Sequence, residues 1–433
     1  MAAHRSLGVL HGSALYIGAL VGPGLLLVPA LAAERAGAAS IVAWMALLVL
    51  SAPLAVTFGA LGVRHPVAGG VSTYVQEGLG DEAAAVTGSW FLAAVLIGAP
   101  AVSLIGGYYV AALTGSGTGV ATSVGIAMFV AVLAANVLGL RVSAGFQLAL
   151  SSVLIAVVAV AVAVALPSRG GDNWTPFAPH GWWAVGTAAN ILVWLFVGWE
   201  AVAQLAGDFR RPEVDLPRSI AIAFVAVTLL YLGLAVATIG VTSGTRSTVP
   251  LADLIAVGFG RAGRDTTAVL AVALTMGTMN VYLSGAAKLA ASMGATGTLP
   301  QWLAGDAWRS VPRRPLAVFA PVVIAVLAAL AAGVGSTDDL IRATSALFIA
   351  VYLLALTSAS RILDGAVRAA ALVSLAATAV LAVFSEWFLV VPALVAALSL
   401  ALLRLRRRPS ASGLREPDRD EHDRGADQLD PAQ

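Results

Sequence analysis

The sequence has no cysteine, which excludes disulfide bridges, thiolate metal sites and cysteine nucleophiles together. Its only lysine is Lys288, and no G-x-x-x-x-G-K-[ST] stretch leads into it, so an ATP-driven pump lacks its phosphate loop. H-E-x-x-H and G-x-S-x-G are also missing, and the histidines (His4, His11, His65, His180 and His422) are scattered. A metallohydrolase or serine hydrolase would have nothing to work with. No metal ligand set and no cofactor are expected. Charged residues make up 11% of the chain, against roughly 25% in a soluble domain. The net charge of +2 is spread thinly, with one basic cluster at Arg404 to Arg408, which gives no footprint for nucleic acid.

What fills the 433 residues is hydrocarbon: 59% are hydrophobic and the mean hydropathy is +0.90. This composition specifies an all-α integral membrane protein whose partner is the lipid bilayer. Apolar stretches of roughly 20 residues, enough to span about 30 Å as helix, number about twelve. Their approximate limits are 6–33, 37–61, 83–112, 118–138, 144–166, 182–207, 217–241, 264–293, 315–334, 338–360, 366–384 and 387–404. The first is longer than the roughly 7–15 residues of a signal-peptide core and ends in no A-x-A-like site, so it is read as a retained span. Arg64, Arg141, Arg210, Arg211, Arg218, Arg309, Arg313, Arg314, Arg361 and Arg368 fall on the side of the N-terminus. Cytoplasmic loops collect Lys and Arg, so both termini are expected in the cytoplasm. The polar, charged end of the chain, 406–433, reads as a disordered cytoplasmic tail.

Two spans are interrupted. GALVGPGLLLVPALA, Gly18 to Ala32, carries Gly22-Pro23-Gly24 at the middle of span one, where proline removes a donor and glycine lets the chain leave helical geometry. Span six carries Gly198 inside ILVWLFVGWEAVAQL, followed by Glu200. Freed backbone groups at that depth are tolerated where they are buried in protein or line a wet cavity. Five spans separate the breaks, so the two broken helices enter from opposite sides, the hydropathy signature of an inverted repeat with its site at the midplane. Amides exposed after Gly24 suit a carboxylate and carbonyls at the end of the preceding half-helix suit an ammonium, so a zwitterion fits both. Bare glycines at 22 and 24 would let the carboxylate approach the backbone.

Four motifs carry a resemblance. Gly22-Pro23-Gly24 with LLLVPALAAERAG is similar to the first-helix break of the amino acid–polyamine–organocation transporters. HPVAGGVSTYVQEGLG, His65 to Gly80, resembles their P-x-x-G-G-x-x-x-Y loop, and FVGWEAVAQLAGDFRRPEVDLPRSI, Phe196 to Ile220, their F-x-G-x-E followed by N-P-x-x-x-x-P-R. Lys288 with GTLPQWL, Gly297 to Leu303, resembles their Arg…Asp-Gly-x-Leu-Pro. The matches run in order over about 300 residues, and the wording around span six is nearest to the bacterial exporters of methionine and branched-chain amino acids.

The resemblance implies a five-plus-five inverted repeat of spans one to ten, with helices one and six discontinuous. It also implies a transporter rather than an enzyme. Residues 1–360 would form the core and 361–405 a peripheral pair of helices. Family members place the residue at Trp194 over the substrate as a gate and the residue at Val197 against it, with backbone near Gly22 and Gly24 on the carboxylate. The expected binding residues are therefore Gly22, Pro23, Gly24, Leu25, Trp194, Val197, Gly198 and Trp199. Their apolar character favours Leu, Ile, Val or Met and disfavours charged side chains, whose desolvation it cannot offset.

Some positions depart from the family pattern. Pro23 replaces a small hydroxyl residue, Arg211 replaces Asn, Ala295-Thr296 replace Arg-Asp, and span five has no lysine to stand in for a sodium ion. Glu200 is the candidate coupling group, because an ionisable side chain at such depth is costly and is a functional hypothesis by default. The other reading of Glu200 is a structural carboxyl that bonds freed amides or a neighbouring tyrosine. Lys288 is an inner-gate candidate or a snorkelling surface residue; Asn280, Ser284 and Gln204 read as helix-bridging polar groups. The expectation is proton-coupled export of neutral apolar amino acids across a bacterial plasma membrane, with an uptake permease, an exchanger or a flux-free sensor as alternatives.

Overall fold

The computed structural model describes residues 7–64, 70–139, 144–168, 171–200, 206–242, 247–309 and 311–407. Arg141, Gln204, the start of the His65–Gly80 motif and the tail from 408 onward lie outside them. Among the described residues ten helices are long and apolar enough to cross a membrane, and two shorter apolar helices, Val9–Leu20 and Trp183–Phe196, belong to the interrupted spans. The protein is a multi-pass, all-helical membrane protein.

Span one is α1 (Val9–Leu20), a 3₁₀ turn (Pro23–Leu26) and α2 (Val28–Ala36). Then come α3 (Ser40–Arg64), a short α4 (Gly70–Leu79), α5 (Asp81–Thr114), α6 (Thr118–Val137) and α7 (Ala144–Ala165), completing spans two to five. The second half opens with α8 (Trp183–Phe196) and continues with α9 (Pro212–Thr242), α10 (Pro250–Ala295), α11 (Arg313–Ala331) and α12 (Thr337–Ile362). Helices α13 (Gly365–Val383) and α14 (Val390–Arg407) close the chain.

The sequence reading missed two features. α4 is helical where a loop was expected, and α10 starts at Pro250 instead of 264, with a bend at Gly260 (φ 57°, ψ −148°) that only glycine adopts readily. The apolar count found the spanning part of α10 and passed over its first fourteen residues, which carry Asp253, Arg261 and the bend at Gly260.

Packing repeats between the halves. α1 lies on α9 as α8 lies on α3, α5 lies on α12 as α10 lies on α7, and α6 lies on α10 as α11 lies on α5. The pairs α3–α9, α5–α10 and α6–α11 complete the inverted five-plus-five arrangement. Small residues permit the closest of these approaches. A Cβ added to Gly107 on α5 would run into the Ala121 carbonyl oxygen of α6, so two backbones touch there.

This contact separates two glycines with different duties. Gly107→Ala must push α5 and α6 apart and is expected to cost about 1–3 kcal/mol, read as a lowered thermal unfolding midpoint in detergent. At Gly22 the backbone is extended (φ −111°, ψ 179°) and an added Cβ meets nothing within 4 Å, so Gly22→Ala should unfold at the wild-type temperature.

Candidate functional site

The two breaks meet. α1 ends at Leu20, the chain is extended at Gly22, and Pro29 near the start of α2 occupies a position where a helix needs no amide donor. Opposite it α8 ends at Phe196, Val197 is extended (φ −76°, ψ 126°), and helix resumes at Trp199 and Glu200. Between them Gly198 has φ +145°, and an added Cβ would lie 3.0 Å from the Ala19 carbonyl oxygen. Both the torsion and the gap require glycine there.

Freed backbone groups find tyrosines. The Tyr231 hydroxyl of α9, fully buried, lies 2.8 Å from the Leu20 carbonyl oxygen and 2.9 Å from that of Leu195. Its single proton serves one carbonyl at a time and ties the ends of both half-helices to one atom. Gly22 N–H also donates to Leu20 O at 3.1 Å, and the Tyr109 hydroxyl of α5 donates to Leu26 O at 2.8 Å. Neither tyrosine was among the expected site residues. The available signal was an aromatic hydroxyl in mid-span, which needs a partner when buried.

Glu200 is 4% exposed. Its Oε2 accepts the Tyr352 hydroxyl of α12 at 2.6 Å and the Gly198 amide at 3.1 Å. Both donors are neutral, so the carboxyl closes the restart of helix six and links it to span ten without an ion pair. Tyr352 in turn packs on Phe58 of α3, ring centroids 5.4 Å apart.

The other expected residues divide by accessibility. Gly22, Trp194 and Val197 keep accessible surface, while Pro23, Gly24, Leu25, Gly198 and Trp199 are buried. Trp194 lies against α5 and α12, its Cζ2 4.0 Å from where a Gly98 Cβ would be, with Thr344 beside it. Gly24 packs on α8, since an added Cβ would meet Leu195 Cδ2 at 2.7 Å. Trp199 is 1% exposed between Tyr16 and Phe224 (5.9 and 6.3 Å), and its indole N–H has no acceptor among the described residues. Lys288 stands apart on α10, exposed.

The two faces of the bundle differ. On the face opposite α1's start, Arg35 of α2 pairs with Asp338 of α12 at 2.7 Å, and the Tyr108 and Thr337 hydroxyls meet at 2.7 Å. Beside them Arg342 pairs with Glu386 at 2.8 Å and lies 4.5 Å over the Phe388 ring, while Asn190 of α8 donates to Ser385 at 2.8 Å. Span one, span six and span ten are thus fastened together on that face. Two open clefts of about 530 and 470 Å³ lie around Gly115 and Arg264, the smaller lined by Tyr108 on that same face, and both away from the two breaks.

The sequence relatives of this chain are permeases and transporters. The amino acid permease family profile matches residues 7–409. An uncharacterized amino acid permease of Bacillus subtilis, YecA, is 33% identical over 398 residues, 91% of this chain and 94% of its own. The L-methionine/branched-chain amino acid exporter YjeH of Escherichia coli is 29% identical over 377 residues, 85% of this chain and 89% of its own. The branched-chain amino acid permease BcaP of Bacillus subtilis is 27% identical over 245 residues, covering 52% of this chain and 53% of its own. With a family match over nearly its whole length and relatives that are permeases and transporters rather than enzymes, the chain belongs to the amino acid permease family.

Proposed function

We propose that the protein is a secondary transporter of neutral apolar amino acids (leucine, isoleucine, valine and methionine), exporting them across the plasma membrane in exchange for protons, with both termini in the cytoplasm. The observation that carries this reading is the junction of the two breaks, where Gly198 closes on the Ala19 carbonyl while Gly22, Trp194 and Val197 keep accessible surface. A zwitterion's charged ends need backbone amides and carbonyls, which broken helices supply, and its side chain needs an apolar wall. The printed names of YjeH and BcaP, which concern methionine and branched-chain amino acids, point to the same substrate class.

In this mechanism the carboxylate sits against the backbone at Gly22, the ammonium faces the carbonyls at the end of α1, and Trp194 covers the side chain. Pro23, Leu25, Gly198 and Trp199 act from behind, holding the breaks in shape. Gly24 belongs with them: Gly24→Val is now expected to disturb α2 against α8 through Leu195, whereas Gly22→Val should fold and lose substrate. Glu200 carries the exchanged proton, because its partners are neutral donors and leave its charge uncompensated. Uptake by the same fold is the second reading, favoured by the permease BcaP; the sign of the driving gradient decides.

Two measurements in proteoliposomes test the proposal. Unlabelled methionine, isoleucine and valine should compete with labelled leucine, while arginine and glutamate in large excess should not; competition by arginine would refute the apolar site. Separately, Glu200→Gln keeps an oxygen for Tyr352 and Gly198 but cannot exchange a proton. It should still exchange leucine for leucine, and a pH gradient should no longer drive net movement. Gradient-driven efflux persisting at normal protein levels would remove Glu200 as the coupling group.

A further inference from the structure

Helix α10 changes its accessible face midway. In its first half across the membrane Val269 and Ala273 are exposed, and the residues that continue their line, Asn280, Ala287 and Ala291, are buried. In the second half the exposed positions are Val281, Tyr282, Gly285, Lys288 and Ser292. At about 100° per residue this second face is turned by roughly a third of a circle from the first. It continues the line of Thr267, Leu274 and Thr278, which are packed inside the bundle. An accessible face in line with the bundle interior lines a cavity, whereas one in line with Val269 would have met lipid.

Tyr282 lies on this second face, 43% exposed. The Pro23–Leu26 turn also rests on α10. Accessible positions therefore run along this face of α10 through Tyr282 and Gly285, where an added Cβ meets nothing within 4 Å, toward the face from which α1 starts. Lys288 stands at the end of this row, about 9 Å beyond Tyr282 along the helix axis. It is the only lysine in the chain, it is exposed, and no carboxylate among the described residues pairs with it.

We propose that Lys288 is the first contact for the α-carboxylate of an amino acid approaching from the face where α1 starts, and that it orients the zwitterion carboxylate-first toward the break at Gly22. The inference rests on the amino acid reading above. An unpaired cation at the mouth of a low-dielectric cleft concentrates carboxylates there, and its effect fades as salt screens it. Arriving carboxylate-first matches the polarity of the break, so the substrate need not turn inside the cavity.

The test is leucine transport by the full chain in proteoliposomes, measured from that face at low and at high ionic strength. Lys288→Gln should raise KM about three- to fivefold at low salt with kcat unchanged, and Lys288→Arg should restore the wild-type value. High salt should erase the difference. Leucinamide, which lacks the carboxylate, should inhibit wild type and Lys288→Gln equally. A fall in kcat at constant KM, or a KM change that survives high salt and extends to leucinamide, overturns the inference and leaves the substrate reading standing. Wild-type protein that moves no leucine overturns the substrate reading and this inference with it. Should Lys288→Gln fail to reach the membrane, the salt dependence of the wild-type KM and the leucine–leucinamide comparison decide alone.

Discussion

A backbone group freed inside a membrane must find a partner within the protein, and this requirement organises the whole bundle. Two helices are broken where they meet, so their ends leave carbonyls without the amides of a following turn. The Tyr231 hydroxyl reaches the Leu20 and Leu195 carbonyls together, and Tyr109 reaches Leu26. Each tyrosine comes from an unbroken helix, α9 or α5. The intact helices thus act as a frame that completes the hydrogen bonding of the broken ones and holds them apart by fixed distances.

The frame holds the two faces unequally. On the far face, ion pairs and hydroxyl contacts join α2, α8 and α12, and the turn between α13 and α14 adds Ser385, Glu386 and Phe388 to the same cluster. Toward the face of α1's start, the inner side of α10 is accessible from Tyr282 onward. An alternating-access cycle needs such an asymmetry, since a binding site reached from both faces at once would leak. Because Arg342 is almost fully buried beside Glu386, separating that pair would leave a cation in protein without its partner. Opening the far face must therefore provide both groups with water or new partners as it proceeds.

Glu200 shows how one side chain can hold a fold and still be placed for chemistry. Its carboxyl accepts the Gly198 amide, an end of the broken helix, and the Tyr352 hydroxyl of span ten. Any movement of helix six against span ten changes these bonds, and with them the balance between the charged and neutral carboxyl. Under the proposed mechanism, that link between helix geometry and protonation is what couples a proton to substrate movement. The structural and coupling readings of Glu200 then describe one arrangement at two moments of the cycle.

The sequence by itself determined the membrane class, the number of spans, the two breaks and the inverted repeat, because hydrocarbon length and helix-breaking residues act locally and leave a linear trace. Gly22, Gly198 and Glu200 were legible for that reason, whereas Trp194 was named only through the family resemblance. Tertiary structure alone decided which of those residues keep accessible surface. It turned Trp199 into the packing between Tyr16 and Phe224, placed Gly24 against Leu195, and left Gly22 half-buried and Lys288 exposed. It also chose Tyr231, Tyr109 and Tyr352 as partners of the breaks from helices remote in the chain. In lipid every face of an apolar helix looks alike in sequence, since lipid-facing and core-facing positions are both hydrophobic, and only the crossing of neighbouring helices separates them.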